Sequence, residues 1–181
     1  MTPTVVCYTI DASDIVTEVG GAWSRCAIEG NAAELVAGAL GRPLWDFISD
    51  STTRQIYHDL LERVRVGRQA EFPYRCDDIT VRREMVMRIR PLDRGRVHFE
   101  STVVAESRYP NTTVPATHDA RPPFTRICSW CKKVALGDGW LELDAAIERL
   151  ELFATPPNAG ITHAMCPSCE ADMNQRLLGL L

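Results

Sequence analysis

The chain has 181 residues, of which 45% are hydrophobic and 24% charged, and a net charge of -4. That length holds one ordinary domain, or a domain of about 110 residues with a small appended module. The composition argues against extended disorder, and no apolar run approaches the roughly 18 residues of a membrane-crossing helix.

The opening residues, Met1-Thr2-Pro3-Thr4-Val5-Val6, lack the basic and apolar regions of a signal peptide, which predicts a cytoplasmic protein with no membrane association. Thr4 to Ile10 is rich in β-branched and aromatic residues and reads as a strand. Asp11-Ala12-Ser13-Asp14 is a turn, and Ile15 to Val19 a second strand, so the two form a hairpin. From Trp23 to about Phe47 the pattern is helical or short-helical, interrupted by Gly30, Gly38 and Gly41-Arg42-Pro43. Ser51 to Val66 is the clearest helix: Ser51 serves as its cap, Ile56, Leu60, Leu61 and Val64 make one apolar stripe, and Gly67 ends it.

Three strands are predicted next. Glu71 to Cys76 places Phe72, Tyr74 and Cys76 on one face. Arg82 to Arg90 sets Met85, Met87 and Ile89 against Glu84, Arg88 and Arg90. Val97 to Val103 sets Val97, Phe99 and Val103 against His98 and Glu100. Alternation of this kind predicts an antiparallel sheet with one face buried. Arg75, Asp77, Asp78, Arg82 and Arg83 gather at one strand connection. A salt-bridged hairpin end is the favoured reading, and an anion- or partner-recognising patch the sharper one.

Two strands, a helical run and three strands, carrying Tyr8-Thr9-Ile10-Asp11, Gly41-Arg42-Pro43-Leu44-Trp45-Asp46-Phe47-Ile48 and the long helix, resemble the PAS domain, a family of sensory and interaction domains. The resemblance covers residues 4–106. It implies an α+β fold, a five-stranded antiparallel sheet with helices on one face, that senses a small ligand or a partner. The chain begins almost directly with the first strand, without the N-terminal helix that many PAS domains use to dimerise, so a homodimer stays an open expectation. Some PAS domains bind haem through a histidine on the long helix. The only candidate, His58, sits about 200° round from Ile56 and away from the apolar stripe. His98 falls on the polar face of its strand, so haem is not expected.

Residues 107–126, with Tyr109-Pro110-Asn111-Thr112-Thr113 and Arg121-Pro122-Pro123, read as a linker of extended backbone.

The remainder, residues 127–181, reads as a metal module. Cys128-Ser-Trp-Cys131 and Cys166-Pro-Ser-Cys169 are two Cys-x-x-Cys pairs separated by 34 residues. Each pair suits a tight knuckle that offers two thiolates, and two knuckles complete the four soft ligands of a tetrahedral zinc ion. In a reducing compartment such pairs are metal ligands sooner than disulfides. Between them, Lys132 to Leu143 predicts a hairpin turning at Gly137-Asp138-Gly139, and Leu143 to Phe153 a short helix. Cys166 caps a final helix with Pro167 first in it, which puts thiolates at the positive end of the helix dipole. Met173 and Leu177 point inward. Knuckle, hairpin and ligand-bearing helix resemble a treble-clef or zinc-ribbon finger. Similar cysteine-rich tails occur on bacterial signalling proteins.

His163 could stand in as a ligand, but four thiolates already complete a structural site, so it is expected beside the metal or at the surface. Cys7, Cys26 and Cys76 are scattered and read as core packing.

No phosphate-binding loop, nucleophile elbow, zinc-protease helix or kinase catalytic loop is present, which predicts a protein without enzymatic activity. The metal module carries four bases, Lys132, Lys133, Arg149 and Arg176, against seven acids, a poor match to phosphates. The expectation is a non-enzymatic cytoplasmic signalling protein. Its PAS-like domain, whose ligand the sequence does not identify, would be joined to one structural zinc held by Cys128, Cys131, Cys166 and Cys169. Output would pass to a protein partner, not to nucleic acid. The alternatives are a zinc-containing transcriptional regulator and a thiol/zinc redox switch.

Overall fold

The computed structural model describes residues 5–22, 38–77, 81–109, 124–150 and 160–180. Two sheets organise it. The first has five antiparallel strands: β1 (Val5–Ile10), β2 (Val16–Gly21), β3 (Ala70–Arg75), β4 (Val81–Pro91) and β5 (Val97–Arg108), in the order β2-β1-β5-β4-β3. The first and last strands of this segment lie side by side at its centre. The second sheet has four strands, β6 (Phe124–Cys128), β7 (Val134–Leu136), β8 (Gly139–Leu141) and β9 (Gly160–Ala164), in the order β8-β7-β6-β9. Three α-helices, α1 (Ser51–Arg65), α2 (Leu143–Leu150) and α3 (Pro167–Leu178), and two short 3-10 turns, Leu44–Phe47 and Asp93–Gly95, complete the described elements. The overall class is therefore α+β.

The turn after β1 is fixed by Asp11, whose Oδ1 accepts from the backbone N–H of Ser13 (2.8 Å) and of Ile15 (3.0 Å). Asp14 takes a left-handed conformation (φ 64°) that only a few non-glycine residues tolerate. From there its carboxylate accepts from the Trp45 indole (2.9 Å) and from Arg65 (2.5 Å), linking hairpin, short helical turn and α1. The sequence had marked Asp14 as a turn residue only. At the far end of the hairpin Gly21 (φ 70°) lets β2 close on β1: a Cβ there would stand 2.2 Å from the Val5 carbonyl oxygen.

The helix cap is Asp50, not Ser51. Its Oδ2 accepts from the N–H of Thr53 (2.8 Å) and the Thr53 hydroxyl (2.6 Å), and a carboxylate there also suits the positive end of the helix. The stripe Ile56, Leu60, Leu61 and Val64 is buried as its spacing requires. Residues 38–47 contain one helical turn, Leu44–Phe47; the rest of the predicted helical run, residues 23–37, lies outside the described residues.

The sheet buries the alternating face. Phe99 pairs with Tyr8 on one side and with Ile89 on the other, and the Tyr8 and Phe99 rings stack at 4.4 Å. Phe72, Met85, Met87, Ile89 and Val97 are buried beside them. Beyond Phe72 the predicted alternation in β3 fails, since Cys76 is exposed and Arg75 is buried. Arg75 turns inward because it has polar partners there. Cys7 is half-buried, and Cys26 lies outside the described residues.

The C-terminal segment packs into the core of the sheet. Trp130, Met165, Met173 and Leu177 belong to the same buried cluster as Leu60, Phe72 and Phe99. A smaller cluster of Val134, Leu143, Ala146 and Ile147 holds β7 to α2. The predicted hairpin turns at Gly137 (φ 57°), as glycine permits. Two strands had no sequence prediction. The segment read as linker to residue 126 becomes β6 from Phe124. The loop before Cys166 ends in β9, which runs parallel to β6 with Cys128 opposite Ala164. No helix among the described residues is long and apolar enough to cross a membrane.

Candidate metal centre

Strand β6 delivers Cys128 to the start of a tight reversal. The Cys128 N–H donates to the Lys133 carbonyl (2.8 Å), and the Lys132 N–H donates back to the Cys128 carbonyl (3.1 Å). The reversal needs a left-handed residue, and Lys132 supplies it (φ 61°) while its ammonium closes onto the Ser129 carbonyl (3.0 Å). The Ser129 N–H donates to Ala164 (2.8 Å), so the knuckle is also tied to β9.

The second pair arrives on that strand and the helix after it. Cys166 occupies the cap of α3, Pro167 follows within its first turn, and Cys169 lies one turn on, as the sequence predicts. Proline fits because the first helical N–H has no partner inside the helix. The Cys166 N–H donates to the Cys128 sulfur at 3.4 Å, a contact between the pairs that draws charge toward Cys128.

All four predicted ligands meet. The sulfur atoms of Cys128, Cys131, Cys166 and Cys169 lie within 4.8 Å of one another, and those of Cys131 and Cys166 are 3.7 Å apart. Four thiolates about 2.3 Å from a tetrahedral ion stand about 3.8 Å from each other. The donor set therefore has both the chemistry and nearly the size of a metal site. Cys128 and Cys166 are buried, whereas Cys131 and Cys169 are half-buried. His163 is exposed and outside this group, beside β6 rather than among the sulfurs.

Hydrogen bonds from Cys131 and then Cys169 hold the Cys128 thiol far below its ordinary range. Donating to Cys128 pushes Cys131 up to about 11, and bonds to Cys128 and Cys131 push Cys169 up as well. The arrangement thus favours charge on Cys128 and protons on Cys131 and Cys169. A cation would displace protons from the cluster, so metal affinity must fall as pH falls.

The residues that join this centre to the sheet were not legible as such. Trp130, between the first two cysteines, packs on Phe72 (centroids 5.1 Å apart) and Tyr57 (5.8 Å). Its carbonyl accepts from the Arg75 N–H at 2.7 Å. The Arg75 guanidinium donates to Glu142 (2.7 Å), to the Tyr109 hydroxyl (2.7 Å) and to Asp77. Tyr109 in turn donates to Asp77 (2.5 Å). These paired charges hold the Arg75 guanidinium protonated in spite of its burial. The one polar signal in sequence was the charge cluster at the strand connection. Its salt-bridged reading describes Arg75 and Asp77, and Arg83 bonds Glu106 at 3.0 Å; Asp78 lies outside the described residues.

The histidines raised for haem take other roles. His58 is exposed and stacks on Trp45 at 3.8 Å. His98 is half-buried, with Nδ1 3.2 Å from the Thr9 hydroxyl.

No protein-family model matches this chain, and no curated protein is significantly similar to it.

Proposed function

We propose that this chain is a non-enzymatic cytoplasmic regulatory protein. A PAS-like domain over residues 4–106 senses a small ligand or partner, and one structural zinc on Cys128, Cys131, Cys166 and Cys169 supports output through protein contact. The observation that carries the reading is the cluster of four sulfurs within 4.8 Å of one another, built on a segment that shares its core with the sheet. A zinc ion bound there would crosslink two distant segments of chain. Because four thiolates leave no open position for substrate or water, the centre suits structure rather than catalysis.

The strand order β2-β1-β5-β4-β3 with one long helix against the buried face supports the PAS-like part. A change at the sheet has a physical route to the metal module through Trp130 and Arg75. The acid excess of residues 127–181 favours a protein partner over nucleic acid. Native mass spectrometry of the freshly purified protein, compared with its denatured mass, tests the reading: the expected excess is one zinc ion, with a further organic mass where a sensor ligand is retained. A native mass with no metal would overturn the structural-zinc reading. A steep salt dependence of duplex DNA binding would favour the transcriptional alternative.

A further inference from the structure

The outer side of the first knuckle bounds a cavity of ≈ 250 Å³ where α1, the β3–β4 edge and the metal module meet. Tyr57, Phe72, Tyr74, Met87, Ser129 and Trp130 supply much of its lining. That volume falls just below the range of drug-sized ligand pockets, which run from roughly 300 Å³ upward, so it suits only a molecule of one or two rings. The aromatic walls are set at an angle to one another: Trp130 is tilted 39° from Phe72 and 60° from Tyr57. A flat guest can meet one ring face to face and another edge-on, both favourable arrangements.

The charged groups lining the cavity are already engaged. Asp50 accepts both Thr53 donors, and the Lys132 ammonium donates to the Ser129 carbonyl. The two charges are opposite, so neither sign of ligand charge is selected. Trp130 adds a buried donor to the lining. Trp130 is 6% exposed, and its indole N–H is buried with no partner among the described residues. A buried indole N–H ordinarily has an acceptor. The indole nitrogen itself is closed off from the cavity in this conformation, so a ligand acceptor reaches it through a ring adjustment of the size side chains commonly make on binding.

We propose that this cavity binds a small, uncharged, planar aromatic molecule of one or two rings with a carbonyl-type acceptor for the Trp130 indole, and that its occupancy is coupled to metal in the adjoining knuckle. The coupling follows from covalent geometry, since Ser129 and Trp130 are the two residues between Cys128 and Cys131. Anything that fixes their backbone favours the metal-binding arrangement, and the metal favours the pocket in return. The role as a sensor site rests on the regulatory reading above.

The test titrates 1-indanone, a bicyclic ketone, into the protein as purified, with metal content measured on the same sample. The indole N–H resonance of Trp130, identified by its loss in Trp130→Phe, should shift saturably. Indane, the same skeleton without the acceptor, should bind about fivefold more weakly, the factor expected for one hydrogen bond of about 1 kcal/mol. Ser129→Tyr should retain metal and abolish the shift by filling the cavity. If that variant loses metal, Met87→Phe fills the space from the sheet side. Chelation should weaken indanone binding.

Absence of a saturable shift in metal-bearing protein overturns the site, as does unchanged binding in the filled variant. Equal affinity for indane overturns the acceptor, and equal affinity after chelation overturns the coupling. A sample that contains no metal overturns the zinc reading and the coupling together, while the titration still decides the cavity.

Discussion

The five-stranded sheet and the cysteine module reach order by different means, although they share one core. In the sheet, stability is spread over many apolar side chains: Ile10, Leu60, Val64, Val97 and Phe99 are each fully buried. No single one defines the fold. In the module, two short strands pair over three residues, and one small cluster anchors a short helix. Four sulfur atoms there gather within 4.8 Å of one another, where a metal could close the chain. Dispersed burial tolerates loss in increments, whereas a ligand set fails when one member is removed.

The largest effect should therefore come from the cysteines. Cys128→Ser or Cys169→Ser should release the metal and make residues 127–181 the first site of proteolysis. Apparent binding free energies of structural zinc in small fingers are about 10 kcal/mol, more than any one apolar contact contributes. Metal content and limited proteolysis of both variants check this. Full metal occupancy in both would mean that the sulfurs are not ligands.

Next in size is Leu60→Ala, at the centre of α1 and the shared core. It should lower unfolding stability by about 2–5 kcal/mol, the usual range for a leucine cavity, while the folded protein keeps its metal. Denaturant titration with parallel metal analysis makes the comparison sharp. Loss of metal from folded Leu60→Ala would show that the two regions are one cooperative unit rather than two unequal ones.

Arg75→Leu probes the joint between the regions. It leaves Asp77, whose side chain is 1% exposed, without its guanidinium partner. It also removes the bond to Glu142. Breaking one side of a buried ion pair costs about 3 kcal/mol or more. Tyr109 and the Arg83 N–H still donate to Asp77, which places the expectation at the lower end. The double variant Arg75→Leu with Asp77→Leu should recover part of the loss, because no isolated charge then remains buried. A double variant as unstable as the sum of both singles would argue that the pair is not coupled.

The same contrast explains what could be read from the sequence. Sheet and helix were legible where period and burial agree: α1 through Ile56, Leu60 and Val64, and β4 through Met85, Met87 and Ile89. The four-cysteine cluster was legible because paired Cys-x-x-Cys spacing is a local signature of sulfurs that meet. What was not legible depends on partners remote in the chain. Strand β9 exists because β6 offers it an edge, and neither carries a strong period. Arg75 faces inward against the alternation because Glu142, 67 residues away, meets it there. Asp50 rather than Ser51 caps α1 by a choice of one residue, within the range where composition alone is indifferent. Trp130 was given no role from the sequence, yet it is the side chain that seats the knuckle on the sheet.

The smallest predicted effect separates the regions by pH. Burial, and then the Arg90 charge, hold His98 in the sheet below the ordinary histidine value of about 6.5. Partial desolvation of its otherwise exposed ring, and then Lys132, do the same to His163 beside the knuckle. A lowered folded value means that the unfolded chain takes up the proton first as pH falls. The stability that each neutral imidazole contributes is thus complete above about pH 6.5 and is lost as pH falls through the depressed folded value. His98→Asn should flatten only the mild part of that decline, measured by urea unfolding between about pH 7 and 5, and should leave metal content unchanged. Protonation of the cysteine cluster should impose a steeper loss at lower pH, because each thiolate that takes a proton gives up its metal bond. If His98→Asn leaves the slope above that loss untouched, the sheet contributes nothing to the acid response and the decline belongs to the module.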